Sequence, residues 1–80
     1  MPLFTATLPS LGDDAGDSAQ VSFVYIKVGD LVKENDDLVE MVTDKATFNV
    51  PSPKDGKVAA IRVKEGDRIN VGDPLCDLEV

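Results

Sequence analysis

The sequence predicts an all-β fold, a sandwich or barrel of about eight short strands in two sheets. Three observations predict it. Apolar and polar residues alternate at period two in several short runs, and no segment of eleven or more residues carries a helical period. Turn formers recur every eight to twelve residues, at Gly12, Gly16, Gly29, Asn35-Asp36, Pro51 and Pro53, Gly56, Gly66 and Gly72. The chain also repeats itself at an offset of 37: Lys27/Lys64, Gly29/Gly66, Asp30/Asp67, Asp36/Asp73 and Leu38/Leu75 are identical, and Ile26/Val63 and Val32/Ile69 are conservative. Two related halves of about 40 residues imply pseudo-two-fold symmetry rather than a solenoid, which needs three or more repeats. The expectation is one half in each sheet.

The elements follow in order. Phe4, Ala6 and Leu8 alternate with Thr5 and Thr7 as an opening strand. Val21, Val24 and Ile26 step by three and then two, and Val58, Ile61 and Val63 repeat that step. A step of three breaks strand alternation, so a β-bulge or bend is expected twice. At Gly29-Asp30 and Gly66-Asp67 the glycine supplies a positive φ and the aspartate bonds local backbone, which makes sharp turns. Val39 and Met41 alternate with Glu40 and Val42, and residues 38–42 and 47–50 flank a gap of four that reads as a tight hairpin. Leu8-Pro9-Ser10 resembles Val50-Pro51-Ser52 at an offset of 42, which puts five extra residues in an inserted loop at 12–20. Cys76, Leu78 and Val80 are expected to face inward.

Composition narrows the function. Eighty residues make one small domain, and 42% hydrophobic with 29% charged residues is a globular composition. The absence of histidine excludes Ser–His–Asp and Cys–His triads and histidine-ligated zinc. A net charge of −7 with scattered basic residues argues against nucleic acid and against an anionic membrane surface. No run approaches a membrane-spanning length. The single cysteine, Cys76, permits no internal disulfide and reads as a core residue. A reducing compartment is expected: the cytoplasm of a bacterium, or the mitochondrial matrix for a domain cut from a eukaryotic precursor.

Little in the chain could run a reaction unaided. The paired carboxylates Asp13/Asp14 and Asp36/Asp37 are adjacent residues that point apart. Asp13-Asp14-Ala15-Gly16-Asp17 lacks the ligand spacing and distal glutamate of a calcium loop, so no metal is expected. No residues are assigned as catalytic. What remains is Thr43-Asp44-Lys45-Ala46, in the hairpin gap. Lys45 stands at its tip, exposed on a rigid turn, where an amine can be acylated by another enzyme. By the repeat, the second copy of this tip would fall just past Val80. The tip should therefore be unique and lie at the end opposite the termini.

Thr43-Asp44-Lys45-Ala46 resembles the Asp-Lys-Ala turn of lipoyl domains of 2-oxo-acid dehydrogenase acyltransferases. Leu8-Pro9-Ser10-Leu11-Gly12, Val28-Gly29-Asp30, Val50-Pro51-Ser52-Pro53 with Gly56, and Glu65-Gly66-Asp67 with Val71-Gly72 stand at that family's spacing, so the resemblance covers residues 8–78. It implies a flattened barrel of two four-stranded antiparallel sheets. It implies lipoic acid in amide linkage on Lys45, with Thr43, Asp44 and Ala46 as turn flanks read by the lipoate-attaching enzyme. It implies reductive acylation by a thiamine-dependent decarboxylase, transfer to coenzyme A at an acyltransferase core, and reoxidation by dihydrolipoamide dehydrogenase. Recognition by the decarboxylase is implied for the loop bearing Gly12, Asp13, Asp14, Gly16 and Asp17. Residues 1–80 would be a monomeric, non-catalytic carrier domain in the N-terminal part of a longer acyltransferase, an acetyltransferase of a pyruvate dehydrogenase complex in the first instance.

The sequence departs from the family at Val42, where glutamate is frequent, at Ala19-Gln20, where a glycine is common, and in lacking a tryptophan near Tyr25. Two alternatives stand beside this reading. A biotinyl carrier of a carboxylase shares fold and hairpin but usually flanks its lysine with methionines. An unmodified adaptor would not need the lysine.

Overall fold

The computed structural model describes residues 2–9 and 16–80. Eight strands make up its regular structure: β1 (Leu3–Thr7), β2 (Ser18–Val24), β3 (Leu31–Val32), β4 (Asp37–Val42), β5 (Thr47–Pro51), β6 (Gly56–Ile61), β7 (Arg68–Asn70) and β8 (Pro74–Glu79). They form two four-stranded sheets, ordered β1-β8-β6-β3 and β5-β4-β2-β7. All the pairings are antiparallel. Advancing each strand by four turns one sheet order into the other, so the pseudo-two-fold axis relates the sheets.

The halves do not occupy one sheet each, as the repeat suggested. Each sheet takes two strands from each half. The aspartate turns connect strands in different sheets, and only β4 to β5 is a hairpin between neighbours. Exchanging strands lets both apolar faces close on each other, which a half alone cannot do.

Both expected bulges are present. The register of β2 on β4 shifts between Val21 and Phe23, and that of β6 on β8 shifts between Val58 and Ala60, 37 residues later. A second matched pair of shifts, at Asp37/Val39 and Ala6/Thr7, admits Leu38 and Leu75 to the interior. Both are completely buried, with Met41 and Leu78 beside them. Burying each such side chain stabilises the fold by about 1.5–3 kcal/mol.

Four turns share one design. Asp30, Asp36, Asp67 and Asp73 each donate the main-chain N–H three residues back, to the carbonyls of Lys27, Lys33, Lys64 and Asn70, at 2.9–3.1 Å. Each aspartate Oδ2 then accepts the N–H of that same residue at 2.9–3.0 Å. The residue before the aspartate takes positive φ: Gly29 at 98° and its mate Gly66 at 94°, Asn35 at 77° and its mate Gly72 at 92°. That geometry favours glycine or asparagine.

The offset of the opening strand needs correction. Leu8 donates to Asp73 and accepts from Gly72, and Ser52 donates to Asp36 and accepts from Asn35. Leu8 is thus the mate of Ser52, 44 residues on, and Phe4 pairs with Leu78 as Phe48 pairs with Met41. The insertion before Val21 is seven residues rather than five, and its last part, from Ser18, is strand. The Pro-Ser letters misled because Ser52 is buried like Leu8; its hydroxyl is satisfied by the Lys54 carbonyl at 2.7 Å.

Cys76 and Leu78 face inward as expected, whereas Val80 is exposed because β8 ends at Glu79. Burial raises the Cys76 thiol to about 11, helped by neighbouring Asp77, which leaves it protonated and unreactive. No helix among the described residues is long and apolar enough to cross a membrane.

Candidate functional site at the hairpin tip

The tip follows from the β4–β5 register. Met41 pairs with Phe48 and Val42 with Thr47, which leaves residues 43–46 to reverse the chain. Thr43 N–H donates to the Ala46 carbonyl at 2.8 Å, so Asp44 and Lys45 are the two turning residues. Neither takes a positive φ. The Thr43 Oγ1 accepts the N–H of Lys45 at 3.2 Å and of Ala46 at 3.1 Å, and its hydroxyl lies 3.3 Å from the Ala46 carbonyl as donor. Thr43 is half-buried, and Asp44, Lys45 and Ala46 are exposed.

The termini lie at the other end. Through β1 the chain passes from Pro2, whose carbonyl accepts from Val80 N–H at 3.1 Å, to Leu8. Leu8 meets Gly72 and Asp73, just past Asn70, which pairs with Ser18 at the start of β2. Gln20, two residues on, pairs with Val42 beside the tip. The Val80–Pro2 bond is also the symmetry mate of Thr43–Ala46. The Val80–Pro2 bond therefore stands in its sheet where the base of the β4–β5 hairpin stands in the other.

Beside the tip lies a cleft of about 500 Å3, lined among others by Gly16, Asp17, Gln20, Thr43, Asp44 and Arg68. The structure thus brings Gly16 and Asp17 next to Thr43 and Asp44. Gly12, Asp13 and Asp14 lie outside the described residues. Three bonds fix this wall: Asp17 carbonyl from Val71 N–H at 2.8 Å, Ser18 Oγ from Arg68 Nη1 at 3.2 Å, and Gly66 carbonyl from Gln20 Nε2 at 3.4 Å. Ser18 and Gln20 fall in the inserted loop at 12–20, whereas Arg68 escaped the sequence reading. One signal was available: Arg68 is where the second copy departs from Leu31 of the first.

Asp36 and Asp37 engage separate partners, Lys33 N–H and the Asn49 amide, and so form no pair. No group of metal-ligating residues occurs among the described residues. What the tip offers is an exposed amine on an ordered turn, which fits a carboxylic acid cofactor held by one amide bond. An amide linkage asks the protein for the nitrogen and for access to it, and not for an enclosed pocket.

Residues 5–78 match the family model for biotin and lipoyl attachment, described as "Biotin-requiring enzyme". The chain is 44% identical over 59 residues to the dihydrolipoyllysine-residue acetyltransferase component of the pyruvate dehydrogenase complex of Mycoplasma capricolum. That match covers 74% of this chain and 14% of that protein. It resembles the solution structure of the lipoyl domain of the 2-oxoglutarate dehydrogenase complex of Azotobacter vinelandii, with TM-score 0.69 and 27% identity over 92% of this chain and 95% of that one. It shares its fold with part of a single-chain, multi-domain long-chain acyl-CoA carboxylase, with TM-score 0.75 and 19% identity over 94% of this chain and 7% of that one.

Proposed function

The chain belongs to the biotin- and lipoyl-attachment domain family, and from that premise we propose that it is a lipoyl carrier of a 2-oxo-acid dehydrogenase acyltransferase, loaded at Lys45. One observation carries the reading: an exposed lysine is the second turning residue of an ordered two-residue turn, at the end away from the termini. The Lys45 Nζ would hold lipoic acid as an amide, which removes the lysine charge. Bound there, lipoic acid supplies a disulfide that accepts an acyl group on reduction and yields it to a thiol. The domain's own contribution is to hold that group out from a rigid frame. Tethering raises its concentration at each partner's active site to about the millimolar range.

Asp44 and Ala46 are the flanks that the lipoate-attaching enzyme reads. Gly16 and Asp17, on the cleft wall, belong to the segment offered to the decarboxylase, which in sequence also bears Gly12, Asp13 and Asp14. The acyltransferase core and dihydrolipoamide dehydrogenase complete the set of partners. The chain spans about one seventh of the Mycoplasma capricolum acetyltransferase, which supports its being one domain of a longer acyltransferase. The named relatives serve pyruvate and 2-oxoglutarate complexes alike, so the reading extends to the 2-oxo-acid class.

A biotinyl carrier is the second reading, favoured by the family's description and the carboxylase fold. The flanking Asp44 and Ala46, in place of methionines, weigh against it. Intact mass with peptide mapping, after expression in cells supplied with lipoate and biotin, separates the two. A lipoyl increment on Lys45 is expected. A biotinyl increment there moves the protein to the carboxylases. No increment, with a control domain fully loaded, overturns both.

A further inference from the structure

The turn that carries Lys45 is closed differently from the four aspartate turns. In those, the fourth residue's N–H donates to the first residue's carbonyl. At the tip the sense is reversed, since Thr43 donates its N–H to Ala46. The N–H groups of Lys45 and Ala46 go instead to the Thr43 side chain, at 3.2 and 3.1 Å. That oxygen also donates to the Ala46 carbonyl at 3.3 Å. Two bonds accepted and one donated is the full capacity of a hydroxyl.

The backbone bond from Thr43 to Ala46 closes the turn, and the Thr43 side chain holds the two N–H groups inside it. The tip has no glycine or asparagine at positive φ and no aspartate cap. Short side chains that bond local backbone set the shape of such exposed turns.

We infer, resting on the reading of Lys45 as the modified residue, that Thr43 is a positioning residue for that modification, its hydroxyl presetting the backbone that presents the amine. In the step itself the Lys45 ammonium gives up a proton and its nitrogen attacks the carbonyl of an activated lipoyl donor, an acyl-phosphate anhydride. The C–N bond forms, the C–O bond to phosphate breaks with its electron pair on the leaving phosphate, and a second proton leaves nitrogen. Thr43 takes no part in these bonds. It fixes where the nitrogen starts, and small misplacements of a reacting group are costly in rate.

The test compares the wild-type protein with Thr43→Val, which keeps the shape without the hydroxyl, and Thr43→Ser, which keeps the hydroxyl. Each is given lipoate, ATP and a lipoate ligase, and kcat and KM are measured. Thr43→Val is expected to lose about ten- to a hundredfold in kcat with an unchanged thermal midpoint, and Thr43→Ser to retain wild-type rate. Amide hydrogen exchange should accelerate at Lys45 and Ala46 in Thr43→Val, and not in the strands. A wild-type rate in Thr43→Val overturns the inference, as does a Thr43→Ser variant slowed equally. A rate loss in Thr43→Val that merely tracks a fall in midpoint also overturns it. If the wild-type protein gains no lipoyl mass, the carrier reading falls with it; if the wild type loads and Thr43→Val loads equally well, only the inference falls.

Discussion

The sheet β1-β8-β6-β3 and the sheet β5-β4-β2-β7 differ little on their inner faces and a great deal on their outer ones. Inside, symmetry mates are alike: Val21 and Val58, Leu38 and Leu75, Met41 and Leu78, Ile26 and Val63 are all buried. Outside, Thr5, Arg62 and Asp77 occupy one sheet where Asn49, Tyr25 and Glu40 occupy the other. In the first set, the Arg62 Nε and Nη2 donate to Asp77 Oδ2 at 3.1 and 2.6 Å, and Thr5 donates to Oδ1 at 2.8 Å. In the second, Tyr25 donates to Asn49 at 3.1 Å and stands edge-on to Phe23. The ends diverge further: an exposed two-residue turn lies beyond the Thr43–Ala46 bond, the mate of the Val80–Pro2 bond. The repeated residues build a frame, and the turn proposed to carry the cofactor stands outside them.

The strongest way to break that comparison is in the core. Leu38→Ala and Leu75→Ala remove mates that are both fully buried. Each should cost about 2–5 kcal/mol, read as a fall in the urea midpoint at constant m-value. The two losses should agree to within about 1.5 kcal/mol, since the cost depends on how far each site collapses. A larger gap would mean that the halves are alike in geometry but not in energy.

This frame was legible in the sequence because its signals are local. Both steps of three became bulges. The turns expected at Gly29-Asp30 and Gly66-Asp67 formed, and Asn35-Asp36 and Gly72-Asp73 formed the same kind, since glycine and aspartate act on their own backbone. Strand partition was not legible, because a repeat fixes which residues are mates without fixing whether a turn returns to the same sheet. Nor was the burial of Asp77. Alternation correctly pointed it away from Cys76 and Leu78, but Arg62 and Thr5 cover it from neighbouring strands. The exposed place of Lys45 on a hairpin turn was legible from the four-residue gap. The cleft wall at Ser18, Gln20 and Arg68 was not, since it depends on bonds between residues 46 or more positions apart.

The outer faces give the next, smaller effect. Hydrogen bonds from Arg62 and Thr5 hold the Asp77 carboxyl below its ordinary 3.8. Lowering the folded value means this stabilisation is present above the unfolded value and lost as pH falls below about 3.8 toward the folded one. Arg62→Met should therefore lower the thermal midpoint at neutral pH, and its gap from wild type should close on acidification. The loss should be smaller than in the core, because the Arg62 side chain is 53% exposed and water replaces part of what it gives. Tyr25→Phe, at the mated position, should show a gap that does not change with pH. A pH-independent gap in Arg62→Met would remove Asp77 from the account.

The smallest effect on stability should belong to the residue proposed to be loaded. Lys45 is exposed at the tip, outside the core and both sheets. Lys45→Ala should change unfolding free energy by no more than about 0.5 kcal/mol, while loss of the amine abolishes loading. The same substitution at Leu38 or Leu75 should do the reverse, leaving an intact acceptor on a frame that no longer presents it. A substantial drop in the Lys45→Ala midpoint would show that the tip helps hold the frame, and the separation of frame from function would fail where it is most needed. An unchanged midpoint with no lipoyl increment would confine loading to this nitrogen and keep the frame independent of it.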